Sequence, residues 1–378
     1  MRDMSRLKKT ITNNTSIWVI LGLLFMASTI FVQHNYSFYE RSIAKISEVS
    51  TGEATEVTDS NNNKDLLFTQ HLKAEIKNGK EIGQQISLVN DYSSSGAYDY
   101  KIDIGHEVFV EINVANEDST ALTGIIKDVK RDKQVLFVFW IFVFTLLIIG
   151  KRQGFFAIVS LALNVIILSY ALDIYVKNSA ISLLFICGVC VVLFTVTSLL
   201  LVNGFNEKTY AAIVATLLGT FLSLLITYLV MWITAENGLR YEEMQYVTRP
   251  YRTVFMAGLF IGSLGAVMDV AIAMSSSIFE LYEKNNEISV KALKTSALDI
   301  GKDIMGTMTN ILFFAYISGS IPVLILYLKN STSLPFAFSI NLSLEIARAL
   351  AGGIGIVLAI PIGLYTSLFF VNRKKARL

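Results

Sequence analysis

Cysteine is all but missing from this 378-residue chain: Cys187 and Cys190 are the only two, three positions apart in an apolar run. No histidine or acid stands near them in that run. They read as two small residues on one packing face rather than as a metal or redox pair. The stretch 33–133 has no cysteine, so disulfides do not hold it together. Histidine is as scarce, with only His34, His71 and His106, all outside the later apolar runs. A histidine-based membrane enzyme is not expected. Charged residues make up 16% of the chain, 32 Lys+Arg against 30 Asp+Glu, with no basic patch suited to nucleic acid. Walker loop, H-E-x-x-H, G-x-S-x-G and Gly-rich nucleotide fingerprints are all absent. No catalytic residue, cofactor or metal is expected, and the chain is not read as an enzyme.

Apolar residues are what the chain has in plenty, at 53%, with a mean hydropathy of +0.54. A membrane span needs about 20 mostly apolar residues. Eight runs qualify: 16–32, 135–150, 155–172, 180–202, 211–234, 253–275, 304–328 and 346–371. Arg2, Arg6, Lys8 and Lys9 precede the first run, but no small-x-small cleavage site follows it, so it reads as a retained anchor. Lys151, Arg152, Lys208, Lys284, Lys291, Lys294, Lys302 and the C-terminal Arg373, Lys374, Lys375 and Arg377 fall on the side of the N-terminus. The positive-inside rule then puts both termini in the cytoplasm. Arg240, Arg249 and Arg252 are the exception, in an outer loop, and Trp140 and Trp232 fall at outer span ends as interface aromatics. Residues 276–298 form the longest inner loop, with room for an interfacial helix.

Three parts follow. Residues 1–34 hold the cytoplasmic N-terminus and first span. Residues 35–133 form an extracytoplasmic linker, to about residue 65, and a small β domain. Residues 134–378 form a seven-helix membrane domain. Alternating runs at 72–76, 85–89, 97–104, 107–114 and 122–129, separated by turn signals at Asn78-Gly79, Ser95-Gly96 and Asn116-Glu117-Asp118, predict a five-stranded barrel. The fold class is thus membrane α-helical with a small β domain.

Polar residues recur at helical spacing on the last spans. The steps i, i+4, i+7, i+11 give Gly258, Gly262, Gly265 and Asp269; then Asp299, Asp303, Gly306 and Asn310; then Asn341, Glu345, Arg348 and Gly352. At 100° per residue each set keeps within about 40° of one line. A charge at the bilayer centre costs at least about 2.5 kcal/mol, so these stripes should face protein or water. Asp269 is the expected carrier of a proton or coupling cation, with Asn310 reaching across toward it. Asp299 and Asp303, one turn apart, suit a shared cation, or a capping role at a helix N-terminus with Lys302 and Lys294 as counter-charges. Glu345 and Arg348 suit a gate at the outer start of the last span, or a local i, i+3 ion pair. Gly258, Gly262, Gly265, Gly306, Gly352 and Gly355 read as close-packing positions. Pro322 and Pro361 each remove a helix hydrogen bond and free a carbonyl.

These runs also carry a resemblance. Gly265-Ala266-Val267-Met268-Asp269-Val270-Ala271-Ile272, the stretch from Asp299-Ile300-Gly301-Lys302-Asp303 to Thr309-Asn310, and Ala359-Ile360-Pro361 resemble the YibE/F family of bacterial multispanning membrane proteins. The resemblance implies a soluble β segment after the first span and seven further spans, but no activity. A second likeness, to the proton-coupled core of SecD/SecF and RND transporters, rests on Gly265-x-x-x-Asp269, Glu280 and Asn310. Its register departs, because Glu280 comes about one turn late, and it stands as analogy.

The expected function is therefore gradient-coupled transport of a small solute or ion in the bacterial plasma membrane. The alternative is a scaffold whose outer β domain binds a protein partner. The bilayer is a partner in either case, and nucleic acid is not. Reporter fusions are expected to place residues 50–130 outside, and 284–294 and the C-terminus inside. An inside signal at Asn237 would mean that a span has been merged or missed.

Overall fold

A computed structural model of the protein describes residues 14–96, 99–113, 122–178, 181–244 and 250–375. The expected turn at 116–118, Arg249, Arg377 and Arg2, Arg6, Lys8 and Lys9 lie outside the described residues. The chain divides into two compact units at Thr145/Leu146.

In the first unit, helix α1 (Asn14–His34) leads through a 3-10 turn (Asn35–Phe38) into six strands. These are β1 (Ser42–Thr51), β2 (Thr55–Thr58), β3 (Lys64–Ile76), β4 (Gln85–Ser93), β5 (Glu107–Asn113) and β6 (Leu122–Val129). The order β1-β5-β6-β4-β3 closes on itself through a β1–β3 pairing, and β2 only extends the free edge of β3. Four pairings of the ring are antiparallel, while β4 and β6 run parallel. This is a five-stranded Greek-key barrel with the strand order of the OB type. Ala44, Ile46, Leu72, Ile76, Ile86, Leu88 and Val108 fill it.

The barrel has the expected number of strands but a different set. Residues 42–51, expected as linker, supply β1, while 99–104 form no strand and 97–98 lie outside the described residues. A bulge between Ile46 and Glu48 breaks the alternation of β1, so its burial does not follow a period of two. The segment at Ile102 reads as a strand because it is buried and because a side chain supplies the hydrogen bonds of a strand partner. Gln70 Nε2 donates to Ile102 O (2.9 Å), and Ile102 N donates back to Gln70 Oε1 (3.0 Å).

A buried network fixes the barrel to its two flanking helices. Lys130 Nζ, 1% exposed, lies 2.8 Å from Asp132 Oδ2 and 3.3 Å from Glu107 Oε2. It also donates to Val32 O (3.2 Å), one of the carbonyls that the end of α1 leaves without an intrahelical partner. Its ammonium stands 5.4 Å from the Tyr36 ring centroid and 5.7 Å from that of Tyr39. Lys133 Nζ and Tyr36 OH donate to Glu107 Oε1, at 2.6 and 2.8 Å. Asn35 and Tyr39 donate to Asp132. Asn78 completes the junction: its amide NH₂ faces the carbonyls of Tyr36, Tyr39 and Arg41, and its Oδ1 accepts from Ile43 N. Trp140, near the expected outer end of its span, is buried and donates to Ser28 Oγ between the two helices.

Helix α2 (Asp132–Lys177) leaves helical geometry at Lys151 (φ 46, ψ −118). The second unit continues with α3 (Leu183–Asn203), α4 (Glu207–Ile233), α5 (Tyr251–Lys284), α6 (Val290–Ser318), α7 (Ile321–Lys329) and α8 (Leu334–Lys375). Among the described residues six helices are long and apolar enough to cross a membrane, and α6 with α7, bent by 53°, makes a seventh if the pair is one span. With so many, the chain is a multipass membrane protein in build. Pro322 opens α7 just past that bend, whereas Pro361 sits inside α8 without ending it.

Helices run further than hydropathy predicts. Only 285–289 separate α5 from α6, so the expected long inner loop is mostly two helix extensions. Ser289 caps α6, accepting from Ala292 N. Asp299 and Asp303 therefore lie well inside that helix and cannot cap it. Glu345 and Arg348 likewise lie within α8 and not at its start.

Helices α5 and α8 form the centre of this unit, with Val267, Val270, Met274 and Ile278 packed on Ile356, Ala359, Ile360 and Leu364. Small residues set how closely they approach. A Cβ at Gly355 would stand 2.6 Å from Val267 Cγ2, and one at Gly301 2.5 Å from Ile360 Cγ2. Ser223 Oγ on α4 donates to Ala351 O (2.7 Å), binding α4 to α8.

The packing and the buried network each generate a prediction. Gly355→Ala forces Val267 to move in a full core and is expected to destabilise by about 1–3 kcal/mol. Gly265→Ala meets open space and should be neutral or stabilising by up to about 1 kcal/mol, from helix propensity alone. Denaturation of the purified protein in detergent distinguishes them, and equal effects would discount the packing argument. The second prediction concerns pH. Burial alone would raise the Glu107 carboxyl, but hydrogen bonds from Lys133 and Tyr36 and the charges of Lys133 and Lys130 outweigh it and hold it below its usual value. At Asp132 burial likewise acts to raise the carboxyl, but hydrogen bonds from Lys130 and Asn35 and the Lys130 charge outweigh it and hold it below its usual value. Their stabilisation is complete above the ordinary carboxylate range and is lost as pH falls through the depressed values. Melting temperature should therefore drop on acidification below about pH 4, and Glu107→Gln should flatten that drop. An unchanged profile in the variant would count against the network.

Candidate functional site

Between Phe255 and Phe279, only four positions of helix α5 are exposed, Gly258, Gly262, Gly265 and Asp269, and the others are buried or partly buried. The most buried helix of the unit thus shows the outside one narrow line of three glycines and an acid. A Cβ at Gly258 or at Gly265 would meet nothing within 4 Å, so the line is the floor of an open furrow. At Gly262 the furrow is bridged, since the Tyr316 hydroxyl of α6 rests against the glycine where a Cβ would collide with it. Among the described residues Asp269 has no hydrogen bond and no ion pair.

The stripe on α8 lies at one end of this furrow. Arg348 Nη1 pairs with Glu345 Oε1, both side chains about four-fifths buried, and the guanidinium stands 5.4 Å from the Phe255 ring centroid of α5. Below the pair, Gly352 takes the Leu312 side chain of α6, and a Cβ at Gly353 would lie 3.6 Å from Thr309 Cγ2. Gly352 and Gly355 are therefore contact positions, and Gly262 is one through Tyr316. Gly258, Gly265 and Gly306 have open space above them.

The stripe on α6 is placed differently. Asp299, Asp303, Gly306 and Asn310 are all exposed on the surface of the unit. Asp299 holds Lys302 at 3.0 Å, whereas Asp303 has no ion pair among the described residues. Asn310 makes no hydrogen bond there either, so the expected direct bond between Asp269 and Asn310 is not formed. The furrow joins the stripes of α5 and α8 through Tyr316, and α6 contributes that tyrosine rather than its own acidic line.

Sequence reasoning did not single out Tyr316 or Phe255. Two signals were present: a tyrosine at bilayer depth needs a polar partner, and an arginine on an apolar helix needs a counter-charge or a ring. Cys187 and Cys190 are buried and unbonded, packed in a cluster with Phe260 and Leu264. Among the described residues no three His, Cys, Asp or Glu side chains gather as metal ligands.

Around this furrow the arrangement offers a carboxylate without a counter-ion, a hydroxyl at mid-course and a compensated ion pair at the end. These groups can bind and release a small cation or proton. They include no activated nucleophile.

Comparison with known proteins gives two family matches. A model described as YibE/F-like protein matches residues 138–373, and one described as YibE/F family N-terminal domain matches residues 37–129. No curated protein and no solved structure matches the chain. With both segments matched in order over most of its length, the chain belongs to the YibE/F family.

Proposed function

We propose that this protein is an ion-gradient-coupled transporter or permease for a small solute or ion in the bacterial plasma membrane. In this reading the chain crosses eight times: α1, the two arms of α2 on either side of Lys151, α3, α4, α5, α6 with α7, and α8. Both termini are cytoplasmic and the barrel is outside, from the Lys/Arg distribution. Two of the three outer-loop arginines have carboxylates close by, Arg252 with Glu236 at 2.9 Å and Arg240 with Glu242 at 3.9 Å.

One observation carries the reading: the furrow of α5, with Asp269 as the one carboxylate on its floor among the described residues. A carboxylate held at bilayer depth without a counter-ion is costly, so its low-energy states hold a proton or a cation. Taking up and losing that charge gives the furrow two states of different polarity, the minimum a coupled carrier needs. Tyr316, which bridges the furrow at Gly262, and the Glu345–Arg348 pair at its end serve as its gate. Asp299 and Asp303, on the exposed face of α6, serve as a cation-attracting approach.

A scaffold role has its own support in the barrel. Val89 and Ile125 are register partners on β4 and β6, and both are half exposed on its outer face. An apolar pair on a soluble face suits a protein partner.

Substitution at Asp269 separates the two. Asp269→Asn keeps size and hydrogen bonding while removing the ionisable charge, and is expected to abolish function at normal membrane expression. Asp269→Glu should retain part of it. Asp299→Asn and Asp303→Asn should have less effect singly than together. Complementation of a deletion phenotype, with expression measured alongside, is the assay. Full activity of Asp269→Asn would favour the scaffold.

A further inference from the structure

The barrel segment is acidic overall, with 17 Asp and Glu against 11 Lys and Arg over residues 40–133. Its junction with the helices reverses that sign. A cleft of about 360 Å³ opens there, lined by His34 at the end of α1, Lys133 at the start of α2, and Tyr36, Lys45, Lys77 and Glu107 between them.

The charges around it do not cancel. Glu107 is shared by Lys130 and Lys133, Asp132 is engaged by Lys130, and Glu75 pairs with Lys77 at 2.7 Å. Lys45 stands across the strands from both Glu75 and Glu107, yet among the described residues it has no ion pair. Four ammonium groups thus meet three carboxylates, and the surplus charge belongs to the cleft. Its depth along the molecule is fixed by covalent connection. The cleft wall includes the last residue of one apolar helix and the second residue of the next, which is where headgroups lie around a spanning helix. Phe38 is 75% exposed and packs on Phe31 of α1, as an interfacial aromatic does.

We propose that this cleft binds an anionic phosphate group, that of a phospholipid headgroup in the outer leaflet, with Lys45 and Lys77 as its principal ligands. The ammonium groups supply donors, and the phosphate supplies the missing negative charge. The site is independent of the furrow on α5 and of any transport role.

The test uses the full-length protein in nanodiscs of phosphatidylcholine, with or without phosphatidylglycerol, and native mass spectrometry to count retained lipids. Wild-type protein is expected to retain phosphatidylglycerol in preference to phosphatidylcholine. Lys45→Gln with Lys77→Gln should lower that retention by roughly fivefold per lysine. Lys80→Gln, outside the cleft, should leave it unchanged. The melting temperature in pure phosphatidylcholine checks that the double variant folds. Lys45→Gln alone removes an exposed, unpaired side chain and repeats the test if the double variant does not fold. Inorganic phosphate added in detergent separates the two sources: competition with phosphatidylglycerol assigns the site to the phosphate group as such, and lack of competition assigns it to the lipid. Equal phosphatidylglycerol retention by wild type and the folded lysine variants overturns the proposal.

Discussion

A single buried ammonium organises the first unit. Lys130 is taken out of water, which is affordable only because two carboxylates, a helix-terminal carbonyl and two aromatic rings surround it. Each of those partners belongs to a different piece of chain: Glu107 to β5, Asp132 to the start of α2, Val32 to the end of α1, Tyr36 and Tyr39 to the turn between α1 and β1. Removing the lysine would leave two desolvated carboxylates facing each other. The position and orientation of the barrel relative to its two helices therefore depend on one side chain, with Asn78 as a second tie.

In the second unit the controlling constraint is steric. Helices α5 and α8 approach closely because Gly355 and Gly363 face Val267 and Met274. Once α3, α4, α6 and α8 have packed on α5, the line it leaves exposed carries nothing larger than glycine before Asp269. The furrow exists because the same helix that packs most tightly elsewhere carries no side chains there until Asp269. Tyr316 is the one group that enters it, and it does so where Gly262 leaves room.

Much of this was legible in the chain. The apolar runs, the three helical stripes and the β character of 85–89, 107–113 and 122–129 all follow from periodicity. What failed has identifiable causes. The first strand was hidden by its bulge, which shifts the inward positions from Ala44 and Ile46 to Val49 and so breaks the alternation. Residues 99–104 mimic a strand because Gln70 supplies the hydrogen bonds of one. Helix ends were drawn at the limits of hydropathy, whereas α5 and α6 continue into polar sequence, so Asp299 and Asp303 became mid-helix residues. Tyr316 has no sequence signature beyond its depth, because its partner is a glycine on another helix. The Lys130 network is formed by residues far apart in the chain, and no local pattern announces it.

The connections at the base of the barrel carry a mechanical consequence. Only Lys130 and Arg131 lie between β6 and α2, and only Tyr39, Glu40 and Arg41 between the turn after α1 and β1. Such short joints leave no leash. The barrel cannot search the space around the protein as a tethered domain would, and its effective reach is its own radius. Load applied to it by a bound molecule is delivered as torque to the ends of α1 and α2 and not dissipated in a linker.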